Sequence, residues 1–323
     1  MSRNEFAIVG AGAIGSILAA HLIQAGHSVA VLARGRRAQQ LQTDGLRIKG
    51  LSEIATPAQV ITDPADLRAV GTLIIATKTP GSEQTLQQLA HVQVETAFSI
   101  QNGVQKDELL TRTFGAQRTL GALADTSGEL LASGEVLFTR NVNLFLGELD
   151  GELSTRVQRV ARTIDDSGVR ATAVPDIVSR EWSKFSCWLG FISMALTTRG
   201  ATWRYLSDPD AALLLVRLTR EVATLAKAQR IALTEDRALL PLQTVLEASE
   251  EDAVAAVQTI GAQYQSKAPE HRISGLQDLL AGRPLEIEET FGYTLRKAQQ
   301  LHVPMPLLDT FYHAVRAIER TRG

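Results

Sequence analysis

The chain has 323 residues, which is long enough for two domains with separate cores. Its 45% hydrophobic and 21% charged residues are typical of a soluble globular protein, and a formal net charge of −2 argues against nucleic acid as a partner. The single cysteine, Cys187, excludes an intrachain disulfide framework and a cysteine zinc site, and no metal site is predicted.

The start of the chain and its apolar runs bear on where the protein works. The first predicted strand begins at about residue 6, which leaves no room for a signal peptide, and no apolar run approaches the length of a membrane span. We therefore expect a cytoplasmic protein with no membrane partner. An enzyme is the default class.

The first predicted element is an apolar strand, residues 6–9, that ends in a glycine turn. Gly10, Gly12 and Gly15 follow it at the G-x-G-x-x-G spacing of a dinucleotide site. Gly10 would make the sharp turn and Gly12 would let backbone amides approach a pyrophosphate. Gly15 would let the helix pack tightly on the sheet.

The residues after the glycine turn support a dinucleotide site. At the helix N-terminus, the free amides of Ala13 and Ile14 would face the phosphates. Apolar residues then recur at helical spacing, Gly26 lies where a C-terminal cap belongs, and residues 29–33 have the pattern of a buried parallel strand. The alternative is an ordinary glycine turn in an unrelated fold.

The end of this second strand indicates which dinucleotide binds. NAD sites usually have an acidic residue there for the ribose hydroxyl, whereas NADP sites have an arginine for the 2′-phosphate. This chain has Arg34, followed by Arg36 and Arg37, and no acid between Glu5 and Asp44. Arg34 is the best candidate for the 2′-phosphate, with the other two as possible helpers, and NADPH is the predicted cofactor. The alternative is a solvated basic turn.

Further strands and a helix complete the pattern of a parallel sheet. Strands are predicted at residues 46–49, 73–77 and 97–100, and a helix at residues 82–90. Lys78 and Asn102 each follow a strand, so both should lie on the ligand-binding rim with the glycine turn. Lys78 would meet phosphate or ribose, and Asn102 the nicotinamide or the substrate. A surface lysine and an asparagine–glycine turn are the alternatives.

The pattern changes twice along the rest of the chain. Residues 119–146 are strand-rich with predicted glycine turns at Ser127-Gly128 and Ser133-Gly134, and a helix at residues 152–166 and a strand at residues 169–174 follow. Pro175 is the expected boundary, giving domains 1–175 and 176–323. Beyond it the predicted elements are helices at residues 178–198, 210–230, 235–248, 250–265, 276–281, 284–300 and 305–321. The predicted fold class is α/β, a Rossmann-type parallel sheet with added antiparallel strands followed by an all-helical domain.

A lysine in the second half is the candidate catalytic group. Ketone reduction by a nicotinamide needs a group that gives a proton to the carbonyl oxygen and stabilises the developing alkoxide. Lys184 lies in an otherwise apolar helix, and helix geometry puts Trp188 and Ile192 on its face. The alternative is a lysine that snorkels from the helix surface.

Three polar residues further along have a spacing that would suit the same site. Ser274 and Asp278 are four apart and Glu286 follows after a glycine-containing break. Glu286 would hold the Lys184 ammonium charged and oriented, Ser274 would bind a substrate carboxylate, and Asp278 would position either partner. The alternatives are a helix cap for Ser274 and solvated acids for the other two.

Taken in order, these motifs resemble the ketopantoate reductase (2-dehydropantoate 2-reductase) family over nearly the whole chain. The resemblance is carried by the glycine loop, Arg34, Thr77-Lys78, Gln101 to Gly103, Glu181 to Phe185, Ser274, Asp278 and Glu286. It implies an NADPH-binding Rossmann domain, a helical domain, and a 2-oxo acid substrate in the cleft between them. It also implies Lys184 as the catalytic acid with Glu286 as its charged neighbour, Asn102 in the site, and Ser274 as a ligand of the substrate carboxylate.

The sequence departs from this family next to the lysine. Members acting on ketopantoate typically carry asparagines four and eight residues after the catalytic lysine, where this chain has Trp188 and Ile192. We expect a smaller, more apolar pocket in which Trp188 lines the substrate. The alternatives are a reductase of a more apolar ketone or imine and an NADPH-binding sensor without catalysis. His271, Arg272 or Arg199 would be available to compensate, and a helical second domain is compatible with a homodimer.

Overall fold

The structure is a computed structural model that describes residues 4–236 and 238–321. The chain divides into two compact units, the first ending at Val178 and the second beginning at Ser179, with the short stretch Gly103–Gln105 counted with the second. The predicted boundary, Pro175, lies just before this division. Within the described ranges, none of the helices is long and apolar enough to cross a bilayer.

The strands of the first unit form two sheets. In chain order they are β1 (Asn4–Val9), β2 (Val29–Leu32), β3 (Leu46–Gly50), β4 (Ile54–Thr56), β5 (Gln59–Ile61), β6 (Ala69–Ile75), β7 (Gln93–Ser99), β8 (Leu120–Leu130), β9 (Val136–Glu148) and β10 (Ala171–Ala173). The first sheet is parallel, in the order β5-β2-β1-β6-β7. Its central strands have apolar residues on both faces, as expected for a sheet covered on both sides.

Alternation along the central strands places one core on each face of the parallel sheet. Ile8, Val31 and Ile74 point into one core, and Val9 and Leu32 point into the other. The helices that cover the parallel sheet are α1 (Ala13–Gln24), α2 (Gly35–Asp44), α3 (Ser82–Leu89) and α4 (Gln105–Phe114), whereas α5 (Thr155–Asp166) packs against β9 and β10. The apolar residues of α5 at helical spacing, Val157, Val160, Ala161 and Ile164, are buried.

The remaining strands form a second, mixed sheet in which β3 and β10 run parallel to β9 and β4 runs antiparallel to β3. Its order is β10-β9-β3-β4, with β8 antiparallel to β9, and an isolated parallel bridge joins Ala97 on β7 of the first sheet to Thr119. Helix α1 packs between the two sheets, so its buried residues contact both. The predicted parallel sheet with added antiparallel strands followed by a helical region is confirmed.

The predicted turn at Ser127-Gly128 is wrong. Both residues lie within β8, at an irregularity in its register with β9. Gly128 is needed for close packing, because a Cβ there would lie 2.8 Å from Ile17 Cδ1 on α1. The turn between β8 and β9 is at residues 131–135, where Gly134 has φ of +88°.

The second unit is helical, as the sequence predicts. Its helices are α6 (Ile177–Thr198), α7 (Thr202–Ser207), α8 (Pro209–Ala228), α9 (Leu242–Glu247), α10 (Glu250–Lys267), α11 (Ser274–Leu280), a π-helix (Glu288–Gly292), α12 (Tyr293–Gln300) and α13 (Pro306–Thr321). Residues 181–183 and 185–196 of α6 are all buried, so this helix forms the core of the unit. Glu221 on α8 caps α13 by accepting from the amides of Leu307 and Leu308.

Two predicted helices are shorter than the sequence indicates. The prediction over residues 235–248 is wrong before α9, because the described residues 235–236 and 238–241 are not helical and Pro241 is the N-cap residue. Residue 237 is outside the described residues. The prediction over residues 284–300 is wrong at its start, since residues 284–286 are not helical and a π-helix comes first. Helices α2, α4 and α7 were not predicted.

Cys187 should be unreactive in the folded protein. Its side chain is fully buried on α6, and burial raises the pKa of the thiol to about 11. We expect thiol reagents at mildly alkaline pH to leave the native chain unlabelled and to label one thiol per chain after unfolding in guanidinium. Rapid labelling of a chain whose circular dichroism remains native would contradict this burial.

Candidate active site

The glycine turn after β1 has the tight geometry that its spacing predicts. Gly10 has φ of +103°, and a Cβ there would lie 2.7 Å from the backbone nitrogen of Thr77. A Cβ on Gly15 would lie 2.1 Å from the carbonyl oxygen of Gly10. Side chains are excluded at both positions, so strand β1 and helix α1 approach each other closely.

The N-terminus of α1 is open at the same turn. Gly12 is the N-cap residue, no side chain caps the helix, and nothing lies within 4 Å of the position that a Cβ on Gly12 would take. By helix geometry the amides of Ala13 and Ile14 have no acceptor within the helix. The turn is therefore a cradle of backbone donors with the positive end of a helix dipole, which fits a pyrophosphate.

The three arginines after β2 differ in their surroundings. Arg34 is exposed at the N-cap of α2, where it donates a hydrogen bond to Gln88, and Arg36 is also exposed. Arg37 is half-buried and donates to the carbonyl oxygen of Ala11. The side chains of Arg34 and Arg36 are thus exposed to solvent after the end of β2, whereas the side chain of Arg37 contacts the glycine loop.

The rim of the parallel sheet contains Lys78 and Asn102 as predicted, because β6 and β7 are adjacent and parallel. Lys78 is exposed and Asn102 is half-buried. The neighbouring Gln101 is buried, and its Nε2 lies 3.1 Å from Thr77 Oγ1 and 2.7 Å from Ser82 Oγ. Gln101 therefore joins the loop after β6 to the end of β7. The sequence analysis names the Gln101 to Gly103 motif but does not predict this structural role for Gln101.

Lys184 lies on α6 among aromatic rings. It is half-buried in a stretch whose other residues are buried, so it is not on a solvated helix face. The ring of Phe185 stacks on Trp188 with centroids 6.3 Å apart, and Trp182 meets Phe185 edge-on at 5.9 Å. Because Trp188 is four residues after Lys184, the two share one face of the helix.

A narrow cavity in the second unit collects several of the predicted site residues. Its volume is about 10 Å³, room for one water molecule at most. It is lined by Trp188, Ile192, Leu196, Gly275, Asp278, Leu285, Glu286, Ile287, Thr290 and Phe291. The structure thus brings Trp188, Asp278 and Glu286 to one cavity, and its wall is otherwise mainly apolar.

Asp278 and Ser274, both on α11, have different surroundings. The buried carboxylate of Asp278 accepts from Arg283 Nε at 2.7 Å, and the Arg283 side chain is exposed. One oxygen of this carboxylate is therefore held in an ion pair with Arg283. The sequence analysis does not predict this partner. The alternative in which Ser274 caps α11 is wrong, since Ile273 is the N-cap residue and no side chain caps the helix.

Glu286 lies just before the π-helix and is half-buried. The hydroxyl of Thr290 donates to the carbonyl oxygen of Glu286, and Thr294 donates in turn to the Thr290 carbonyl at 2.7 Å. Tyr312 on α13 donates to the Glu288 carboxylate at 3.0 Å. These bonds hold the π-helix in place beside Glu286, and π-helical turns often occur at functional sites.

His271 is not positioned as a simple substitute for the absent asparagines. It is exposed, its Nδ1 lies 2.9 Å from Thr202 Oγ1, and its ring packs against Tyr264 with centroids 5.0 Å apart. Arg272 and Arg199 are exposed as well. None of the three is among the residues that line the cavity.

Gly275 and Ile192 should be energetically coupled. A Cβ on Gly275 would lie 2.1 Å from Ile192 Cδ1, so Gly275→Ala should destabilise the protein by about 1–3 kcal/mol through overpacking. Ile192→Val removes that methyl group, and the penalty of Gly275→Ala should fall sharply when both changes are combined. Denaturant unfolding of the two single variants, the double variant and the wild type measures this coupling.

Gly200→Ala is a matched control, because a Cβ there would meet only ordinary contacts at 3.7 Å. It should change the free energy of unfolding by less than about 1 kcal/mol. Strictly additive effects of Gly275→Ala and Ile192→Val would show that the two residues do not compete for this space.

Comparison with known proteins gives one consistent result. Family models described as "Ketopantoate reductase PanE/ApbA" and "Ketopantoate reductase PanE/ApbA C terminal" match residues 6–151 and 176–319. The 2-dehydropantoate 2-reductase of Archaeoglobus fulgidus is 27% identical over 319 residues, which cover 99% of each chain.

Solved structures share the fold over nearly the whole chain. The 2-dehydropantoate 2-reductase from Methylococcus capsulatus has a TM-score of 0.79 at 24% identity, covering 98% of both chains. D-mandelate dehydrogenase, solved with NADH and anilino(oxo)acetate, has a TM-score of 0.82 at 19% identity, also covering 98% of both. At these identities, the likeness shows the fold alone.

Proposed function

The chain belongs to the ketopantoate reductase family and is an oxidoreductase, and from this premise we propose that it reduces 2-oxo acids to 2-hydroxy acids with NADPH. 2-Dehydropantoate, reduced to pantoate in pantothenate biosynthesis, is the first candidate substrate. One observation carries the proposal: Lys184 is half-buried within the otherwise buried stretch 181–196 of α6 and shares a face with Trp188, which lines a cavity with Glu286.

The glycine cradle supports a dinucleotide as cofactor. Gly10 and Gly15 leave no room for side chains, and the open space at Gly12 leaves room for a pyrophosphate against the amides of Ala13 and Ile14. A bound nicotinamide supplies hydride to the carbonyl carbon of the substrate. Lys78 and Asn102, which follow neighbouring strands on the same rim, would bind the ribose, the phosphates or the nicotinamide.

The choice of NADPH over NADH depends on Arg34. Its guanidinium is exposed at the end of β2, and no acidic residue stands between Glu5 and Asp44 to repel a phosphate. A guanidinium at this place can form two charge-assisted hydrogen bonds to a 2′-phosphate. Arg36 is exposed next to it and adds positive charge.

Lys184 is proposed as the proton donor. As the carbonyl carbon receives hydride, the oxygen gains negative charge, and an ammonium stabilises that charge and transfers a proton to it. The product is the hydroxy acid, and solvent then reprotonates the lysine. Glu286 would hold the ammonium, Ser274 would bind the substrate carboxylate, and Asp278 with its partner Arg283 would stiffen the wall that faces Trp188.

Removing the lysine tests this role. Lys184→Ala should lower kcat by about 10²–10⁴-fold, because the alkoxide loses both its proton source and its stabilising charge, while NADPH still binds. NADPH oxidation with a 2-oxo acid gives kcat, and fluorescence titration gives the affinity. Lys267→Ala, on the exposed side of α10, is the matched control and should leave both unchanged. Undiminished turnover in Lys184→Ala would remove this residue from the chemistry.

The surroundings of Lys184 favour a second candidate substrate class. Trp188 and Ile192 share its helix face in place of polar side chains, so a 2-oxo acid with an apolar chain would lose less hydration there than ketopantoate, whose chain ends in a hydroxyl. We expect a panel of 2-oxo acids to give higher kcat/KM for apolar than for hydroxylated side chains. Preference for ketopantoate over every apolar member of the panel would instead restore it as the substrate.

A further inference from the structure

Arg37 has a hydrogen-bonding pattern that the sequence does not suggest. It follows Arg34 and Arg36 at a strand end where arginine usually meets a phosphate. Yet its Nε donates to the Ala11 carbonyl at 2.9 Å, and its terminal nitrogens donate to Ser16 Oγ at 2.9 Å and to the Gly134 carbonyl at 2.9 Å. A fourth bond joins it to Gln40 Oε1 at 3.0 Å.

Two of these acceptors belong to the glycine loop. Ala11 lies between the first two glycines, and Ser16 is in the first turn of α1, where it is fully buried. The Ser16 hydroxyl also donates to the Ala11 carbonyl at 3.1 Å. Arg37 and Ser16 thus hold the same carbonyl oxygen from two directions and fix the orientation of the peptide that precedes Gly12.

The other acceptors connect the loop to the rest of the first unit. Gly134 lies in the turn between β8 and β9, and Gln40 on α2 donates to the neighbouring Ser133 carbonyl at 2.7 Å. The guanidinium therefore joins the glycine loop, α2 and the β8–β9 turn. Four of the five N–H donors of Arg37 are used in this way, which leaves one for any other acceptor.

We propose that Arg37 is a positioning residue of the glycine loop: it holds the Ala11 carbonyl away from the ligand side so that the first amides of α1 converge on the pyrophosphate. The assignment rests on the proposed use of a dinucleotide. Arg37 acts on the part that NADPH and NADH share, whereas Arg34 acts on the 2′-phosphate that only NADPH carries.

This division of roles makes the two arginines separable by experiment. Arg37→Met and Arg37→Lys should each weaken NADPH and NADH binding by about tenfold, the scale of one lost charge-assisted hydrogen bond, and leave the ratio of the two affinities unchanged. Lysine keeps the charge but cannot span the four acceptors of Arg37, so Arg37→Lys should not restore the affinity. Arg34→Met should instead lower the affinity for NADPH alone, so that the ratio of NADPH affinity to NADH affinity falls.

Ser16→Ala provides a second variant with Arg37 intact. It removes one of the acceptors and should weaken both dinucleotides equally, by a smaller factor than Arg37→Met. In turnover assays KM for NADPH should rise in the Arg37 variants while kcat at saturating NADPH stays within about twofold, since no group near the reacting atoms has changed. Melting temperatures are measured on each variant, because a role in stability alone would lower them without changing either affinity.

The outcomes separate this assignment from the function on which it rests. If Arg37→Lys retains NADPH affinity and only Arg37→Met loses it, or if NADH binding is unaffected in both, Arg37 recognises phosphate and the positioning role is wrong. If the wild type binds both dinucleotides and the Arg37 variants bind equally well, only the positioning role fails. A wild type that binds neither overturns the proposed function itself.

Discussion

The close approach of Gly10 and Gly15 is the contact on which the first half of the molecule depends. A methyl group on Gly15 would lie 2.1 Å from the Gly10 carbonyl, so α1 can start where it does only because Gly15 lacks a side chain, and a Cβ on Gly10 would lie 2.7 Å from the backbone nitrogen of Thr77. That start fixes how α1 lies between the two sheets and where its first amides point. The dinucleotide cradle is formed at the same turn, and α1 continues from it to contact both the parallel sheet and the second sheet.

Local patterns in the sequence predict the elements that depend only on interactions between residues close together in the chain. The glycine turn, the apolar strands of the parallel sheet and the apolar faces of the helices follow from spacing within about twenty residues. The second sheet and the packing of Gly128 on Ile17 depend on contacts between distant segments. Helix α2 was missed because its stretch is mostly polar and its only buried residues are Ala38 and Leu41.

In the candidate site, too, contacts between distant segments could not be predicted from the sequence. Arg34 and Arg37 are three residues apart and look alike in the sequence, but only Arg37 is hydrogen-bonded to the glycine loop and to the carbonyl of Gly134, which is 97 residues away. Asp278 was recognised as a site residue from its spacing, but its ion pair with Arg283 depends on how the chain turns after α11. Helix periodicity puts Trp188 on the Lys184 face and spacing groups Asp278 with Glu286, whereas the meeting of these two segments at one cavity depends on tertiary packing.

The packing of α1 also has a thermodynamic consequence. Gly128 lies directly on Ile17, and His21 is hydrogen-bonded to Ser167 and Ser52, so the helix is held by the second sheet as well as by the parallel one. A helix fixed on both sides needs no ordering when a dinucleotide arrives, and preorganisation of this kind reduces the entropic cost of binding. The heat-capacity change of cofactor binding should then reflect only the apolar surface that the ligand covers, with no contribution from folding of the loop.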